Sequence, residues 1–259
     1  MTTQDGDLVR RLRAAGCVFA EDEARLLLEA TSGGADLEAL VRRREAGEPL
    51  ETVVGHVDLA GLRLSVGPGV FVPRQRSVLL ANIADRAAAQ QDPPVVVEAF
   101  CGVAPIAAVV LASLPTAECH VTDHDPVALH HARRNLPPHA EVHLGTGLAA
   151  LPPSLRGRVA VLAAVPPYVP ADAVGLLPRE ARDHEPATAL LGGSDGLDHV
   201  RRLVDEAGEW LRPGGRLLVE LHRAQLPEAA RLGEKASYDV RSHAGDDGHT
   251  VVLDLARPA

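Results

Sequence analysis

Four stretches of this chain carry residue types and spacings that can do chemistry. In Val95-Val96-Val97-Glu98-Ala99-Phe100-Cys101-Gly102-Val103-Ala104-Pro105, a β-branched run ends at an acid. A glycine-containing turn follows, then a proline suited to a first helical turn. An acid at a strand end, followed by such a turn, can hold a nucleotide-like ligand at the switch point of a doubly wound sheet. Thr122-Asp123-His124-Asp125-Pro126 closes the next strand. Asp123 follows Glu98 by about 25 residues, near the ~20-residue offset of a carboxylate that takes ribose hydroxyls. Together they read as an adenosine-type site, with Glu98, Phe100, Gly102, Ala104, Asp123 and His124 as its residues. The plainer alternative is a pair of strand-to-helix turns capped by Asp123 or Asp125.

The third stretch is Val165-Pro166-Pro167-Tyr168. Two prolines fix an extended backbone that cannot continue as helix and leaves its carbonyls free. A tyrosine ring beside free carbonyls can clasp a planar amide. A rigid turn is the alternative. The fourth stretch is Arg182-Asp183-His184-Glu185, in the loop beyond, where His184 can serve as a general base.

Elements must position these groups. The short runs Val95–Ala99, Glu118–Thr122, Glu141–Leu144, Val159–Ala164 and Arg216–Leu221 read as strands. Helical stretches, notably Pro126–Asn135 and Leu197–Leu211, lie between them. That alternation predicts a mostly parallel sheet with helices on both faces. Tyr238–Ser242 and His249–Leu255 flank a short turn segment and read as a closing antiparallel hairpin, with Asp246 and Asp247 as turn residues. Ahead of the sheet, Leu8, Leu12 and Ala15 recur at helical spacing. A second helix follows Glu21 and Asp22, and a third runs from Asp36 to Ala46 and stops at Gly47. Val53 to Val66 reads as a hairpin turning at Asp58-Leu59-Ala60-Gly61.

The 259 residues are 46% hydrophobic and 24% charged, an ordinary globular composition. A net charge of −9 gives no global pull toward phosphate backbones, and 2% aromatics leaves no stacking platform, so a nucleic-acid binder is not expected. Three cysteines, Cys17, Cys101 and Cys119, give no disulfide framework. No stretch approaches the ~20 apolar residues of a membrane span, and no secretory signal is visible. A soluble, cytoplasmic protein without a membrane partner is the expectation. Cys119, His120, His124, His130 and His131 suggest a metal cluster on paper. Neighbours on a strand or helix point apart, so no metal is expected.

The ordered set of motifs resembles the HemK-type protein-glutamine methyltransferases over nearly the whole chain. GEPLETVVGHVDLAGLRLSVGPGVFVPRQRS is similar to that family's linker hairpin and VPR segment. TDHDPVALHHARRN is similar to its ribose-binding strand and helix, and PPYVP to its NPPY segment. REARDHEPATALLGGSDGLDHVRRL and LRPGGRLLVEL resemble its distal blocks. The resemblance implies a seven-stranded Rossmann-like methyltransferase sheet, doubly wound, in an α/β protein with an N-terminal helical domain. It divides the chain into helices at 1–50, a hairpin linker at 51–74 and the methyltransferase-like domain at 75–259. It implies S-adenosylmethionine as cofactor. Its chemistry clamps a glutamine amide between an asparagine side chain, a proline carbonyl and a tyrosine, which places Val165, Pro166, Pro167 and Tyr168 at the reacting amide.

The chain departs from the family where ligands would touch. Val165 stands at the asparagine position and cannot accept a hydrogen bond. Phe100 and Ala104 stand where glycines would. Thr146 stands at the acid that meets the adenine, and Val78 at the acid of VPRxxTE. Asp123, Arg74 and the two prolines remain. The expected function is therefore S-adenosylmethionine-dependent methylation of an amide or amine nitrogen, on a small molecule or a protein, with weakened cofactor affinity. Arg74 and Glu185 are the expected substrate contacts. The alternative is a methyltransferase-fold protein that no longer methylates.

Overall fold

The computed structural model describes residues 3–32, 34–91 and 93–259. Its frame is a seven-stranded sheet whose two central strands are runs of Val, Ala and Leu. β-Branched and small side chains suit a strand covered on both faces, and an all-apolar run has no solvent side. Every residue of the strands Val95–Ala99 and Val159–Ala164 is buried accordingly.

In chain order the elements are α1 (Thr3–Ala14), α2 (Ala20–Thr31), α3 (Leu37–Glu45), α4 (Leu50–Val54), β1 (His56–Leu59) and β2 (Leu62–Ser65). Then come α5 (Val78–Ala89), β3 (Val95–Ala99), α6 (Pro105–Ser113), β4 (Glu118–Asp123), α7 (Pro126–Asn135), β5 (Glu141–Leu144) and β6 (Val159–Ala164). The chain ends with α8 (Arg179–His184), α9 (Asp198–Trp210), β7 (Leu211–His222), α10 (Leu226–Lys235), β8 (Asp239–Ala244) and β9 (Thr250–Ala256). The large sheet runs β5-β4-β3-β6-β7-β9-β8. All pairs from β5 to β7 are parallel, and β9 and β8 close it antiparallel. This is the expected doubly wound α/β sheet. The order reverses between β3 and β6, so the carboxyl ends of β3, β4 and β6 open onto one crevice.

One face packs Val97, Leu162, Leu217 and Val219 against Leu203, Val204 and Trp210 of α9. The other packs Val96, Val161, Ala163 and Leu218 against Leu80 and Ala84 of α5 and Ile106 and Val110 of α6. Helix α5 has no counterpart in the sequence reading. Its start is marked by a 3-10 turn at Gln75–Ser77, and Ser77 makes no capping hydrogen bond, so the usual start signal is missing. The first hairpin is shorter than expected, because α4 takes Leu50–Val54 before β1 begins. Its Val57, Leu59, Leu64 and Val66 share a core with Ala107 and Leu111 of α6 and Leu129 of α7. Asn135 ties it down, accepting from the Ser65 N–H at 2.7 Å and donating to the Ser65 and Val103 carbonyls at 3.2 and 2.8 Å.

Helices α1 to α4 bury their own cluster around Leu12, Leu27 and Val41. Arg44 links that unit to the loop after β6: it pairs with buried Glu23 at 2.6 Å and with Glu180 of α8 at 2.7 Å. Among the described residues, no helix is long and apolar enough to cross a membrane, and no group of three or more His, Cys, Asp or Glu is placed to hold a metal ion.

Candidate functional site

The turn after β3 is built around a carboxylate. Glu98 is buried, and its two oxygens accept the N–H groups of Ile106 and Ala107 at 3.2 and 2.7 Å. The free amides at the start of α6 are thereby satisfied from inside the sheet. Burial pushes the Glu98 carboxyl up to about 8, against the pull of those two amides. The next carboxylate fixes the same turn. Asp123 Oδ2 accepts from the Gly102 N–H at 2.8 Å, and Oδ1 from the Asp125 N–H at 2.9 Å. His124 Nδ1 lies 3.3 Å from Oδ1. Asp125 caps α7 through the Val127 N–H at 2.8 Å.

Between these anchors the backbone is left-handed at Phe100, Gly102 and Ala104, with φ of 53°, 53° and 62°. A Cβ on Gly102 would meet nothing within 4 Å, so this edge of the turn is open to a ligand. Phe100 and Ala104 hold the same conformation at a cost of about 1–2 kcal/mol each. The Phe100 ring packs edge-on against His199 of α9, centroids 5.0 Å apart.

Glu98, Phe100, Gly102, Asp123 and His124 all line one crevice. Val165 and Pro167 form its far wall. Phe71, Pro73, Pro186 and Ala189 cover it. The crevice is a narrow space of about 60 Å3. The cover is pinned by Arg74, whose Nη2 meets both oxygens of buried Glu185 at 2.6 Å, while the Val72 N–H donates to Glu185 Oε1 at 3.3 Å. Burial raises the Glu185 carboxyl and Arg74 opposes that. Two expected substrate contacts thus face each other.

A second pocket of about 250 Å3 lies across Val165 and Pro167, beside Pro166 and Tyr168. The expected extended segment is held here by glycines. A Cβ at Gly192 would collide with the Pro167 carbonyl, and one at Gly196 with that of Tyr168. The Val169 N–H donates to the Leu190 carbonyl and the Gly192 N–H to that of Val169, both at 2.9 Å. Gln225 Nε2 donates to the Tyr168 carbonyl at 3.0 Å. The Pro166 carbonyl has no partner among the described residues.

Four expected residues stand apart. Ala104 is buried at the start of α6 and Glu185 is buried beneath Arg74, and neither lines either space. Thr146 is exposed and lines neither space. His184 lines a separate cleft with Arg43, Glu48 and His131, because α8 turns it toward the N-terminal helices. Arg76, Glu220 and His199 escaped the sequence reading. Arg76 Nη2 donates to Tyr168 Oη at 2.7 Å, and its Nε lies 3.5 Å from buried Glu220. They reach the site from segments about 90 and 50 residues away from Tyr168, and no local spacing marks them.

The seven-stranded doubly wound sheet, with its acidic turn at the switch point and rigid Pro-Pro-Tyr edge, has the fold of solved methyltransferases. Solved structures bear this out. A methyltransferase from Pyrococcus furiosus superposes with TM-score 0.55 at 18% identity, covering 86% of this chain and 98% of its own. An S-adenosylmethionine-dependent methyltransferase from Agrobacterium tumefaciens gives 0.51 at 15%, covering 79% and 70%. No protein-family model matches the chain. Individual relatives do. The release factor glutamine methyltransferase of Gloeobacter violaceus is 37% identical over 230 residues, covering 85% of this chain and 80% of that protein. That of Deinococcus radiodurans is 34% identical over 239 residues, covering 85% of each. That of Streptomyces coelicolor is 38% identical over 184 residues, and the match spans 65% of its length. This chain belongs to the release factor glutamine methyltransferase family, the HemK-type family its motifs resemble.

S-Adenosylmethionine, which this fold implies, fits one end of the crevice. Asp123 and open Gly102 offer a carboxylate and bare backbone to a ribose. At the other end Phe100 projects a ring from a left-handed turn position.

Proposed function

We propose that this chain transfers a methyl group from S-adenosylmethionine to an amide or amine nitrogen. One observation carries the reading. The crevice of Asp123 and Gly102 and the pocket of Pro166 and Tyr168 share Val165 and Pro167 as a common wall. A donor on one side and an acceptor on the other are then neighbours, as in-line displacement needs.

When bound, the cofactor supplies an electrophilic methyl group on sulfur. The chain's own residues do the positioning. Asp123 and His124 take the ribose end. The free Pro166 carbonyl accepts an N–H of the acceptor nitrogen, and Tyr168 walls its plane. Val165 cannot add the second hydrogen bond that a primary amide needs in a dry site. Phe100 crowds the donor side. Cofactor binding in the micromolar-to-millimolar range follows.

Calorimetric titration with S-adenosylmethionine tests this. Asp123→Ala should weaken binding by about 30-fold or more, the loss of a charged hydrogen-bonding group. Labelled-methyl transfer to a release factor should run below ~1 per second. No binding at millimolar cofactor would sink the proposal and leave a fold that has lost methyl transfer.

A further inference from the structure

The acceptor pocket is rich in hydrogen-bond donors and poor in free acceptors. Arg76 is 39% exposed at its rim. Its Nη2 is committed to Tyr168 Oη at 2.7 Å and its Nε faces Glu220 at 3.5 Å, while Nη1 has no partner among the described residues. Arg74 lines the same pocket. It uses only Nη2 on Glu185, leaving Nε and Nη1 without a described partner. Tyr168 Oη accepts from Arg76, so its own hydrogen is uncommitted. Glu180 is the one carboxylate on the described lining, and it is paired with Arg44 at 2.7 Å.

The guanidinium of Arg76 is anchored from behind. Glu220 is 1% exposed, and neither of its oxygens has a hydrogen-bond partner. It sits beside Val165 in the sheet, since Val219 pairs with Ala164. Removing the counter-charge of such a buried carboxylate is costly, which keeps Arg76 beside it. Burial raises its proton affinity against the pull of Ser77 and Arg76. Arg76 thus keeps Nη1 without a described partner while its other nitrogens face Tyr168 and Glu220. The other walls are apolar, including Leu177, Val169 and Leu190.

We propose that this pocket takes a small acceptor bearing a carboxylate, with Arg76 and Tyr168 as its anion-recognising residues and Arg74 as a second donor. The proposal rests on the methyltransferase reading above and adds the substrate's charge. A free carboxylate accepts two or more donors at once, which a neutral amide carbonyl does only partly.

Two probes separate the possibilities on the full chain by calorimetry. N-Acetyl-L-glutamine carries the amide and a carboxylate. Its C-terminal methylamide carries the same amide without charge and mimics a glutamine inside a protein. The carboxylate should bind at least about tenfold tighter, and added salt should erode the difference. Arg76→Met strands Glu220, so the double variant Arg76→Met with Glu220→Gln is the cleaner test. It should bring the two probes within about twofold, while Arg76→Lys should keep part of the preference. Equal or tighter binding of the neutral probe would overturn the proposal in favour of a protein glutamine. So would an unchanged preference in the double variant, or no binding of the carboxylate at about 10 mM. Methyl transfer does not enter this measurement. Charge preference without transfer leaves the inference standing and defeats the methyltransferase reading. Transfer without charge preference does the reverse.

Discussion

The crevice beside β3 and β4 and the pocket beside Tyr168 share a wall but differ in how their polar groups are occupied. In the crevice both carboxylates are satisfied by the protein itself, Glu98 by α6 amides and Asp123 by Gly102 and Asp125. The enclosed space is about 60 Å3. In the pocket a guanidinium tine, a phenol hydrogen and the Pro166 carbonyl are uncommitted, around about 250 Å3. A satisfied site is stable without ligand and must exchange hydrogen bonds to bind. An unsatisfied one is poised for ligand already. The contrast places the barrier to activity on the donor side.

The largest test of that contrast strikes the cover. Arg74→Met leaves Glu185 buried without its counter-charge, which costs about 3 kcal/mol. At 2–4 °C per kcal/mol for a chain this size, melting should fall by roughly 6–12 °C. Adding Glu185→Leu should restore most of it. An unchanged melting temperature in the single variant would show that the pair does not pin the cover. The next effect is on the crevice itself. Phe100→Gly removes a side chain from a left-handed position and clears the donor end. S-Adenosylmethionine binding should tighten about tenfold, or ~1.4 kcal/mol. Adding Thr146→Asp should change little more, since Thr146 lies outside the crevice. Weaker binding by Phe100→Gly would mean that the ring helps hold the cofactor.

A third test is a pH slope. The Glu98 carboxyl is raised from 4.5 to about 8. Between those values the folded chain holds a proton that the unfolded chain releases, so this group's stabilisation is complete below 4.5 and is lost as pH rises through about 8. The difference in melting temperature between the parent chain and Glu98→Gln, followed from pH 5 to 9, isolates it from the histidines. The parent should lose stability relative to the variant as pH rises. A flat difference would show that the α6 amides outweigh burial.

The strands were legible because their runs are short, β-branched and bounded by turn residues. Val95–Ala99, Glu141–Leu144 and Val159–Ala164 match the sequence reading at both ends. Helix α5 was not, since an alanine-rich stretch without a cap carries no start signal. Asp123 and the Pro-Pro-Tyr segment were readable because local spacing carries their geometry. Arg76 and Glu220 meet only through the sheet's register with the linker, so sequence neighbours say nothing of them. His184 shows the converse. Nearness in sequence to a functional loop did not turn its ring toward the crevice.

Phe100, Gly102 and Ala104 bear on how ancestry is recorded in this chain. Three alternate positions have left-handed dihedrals, yet only one is glycine. A comparison scored on residue types meets a decayed motif here, whereas one scored on backbone angles meets an intact one. Glycine could return at either position without the turn having to relearn its shape.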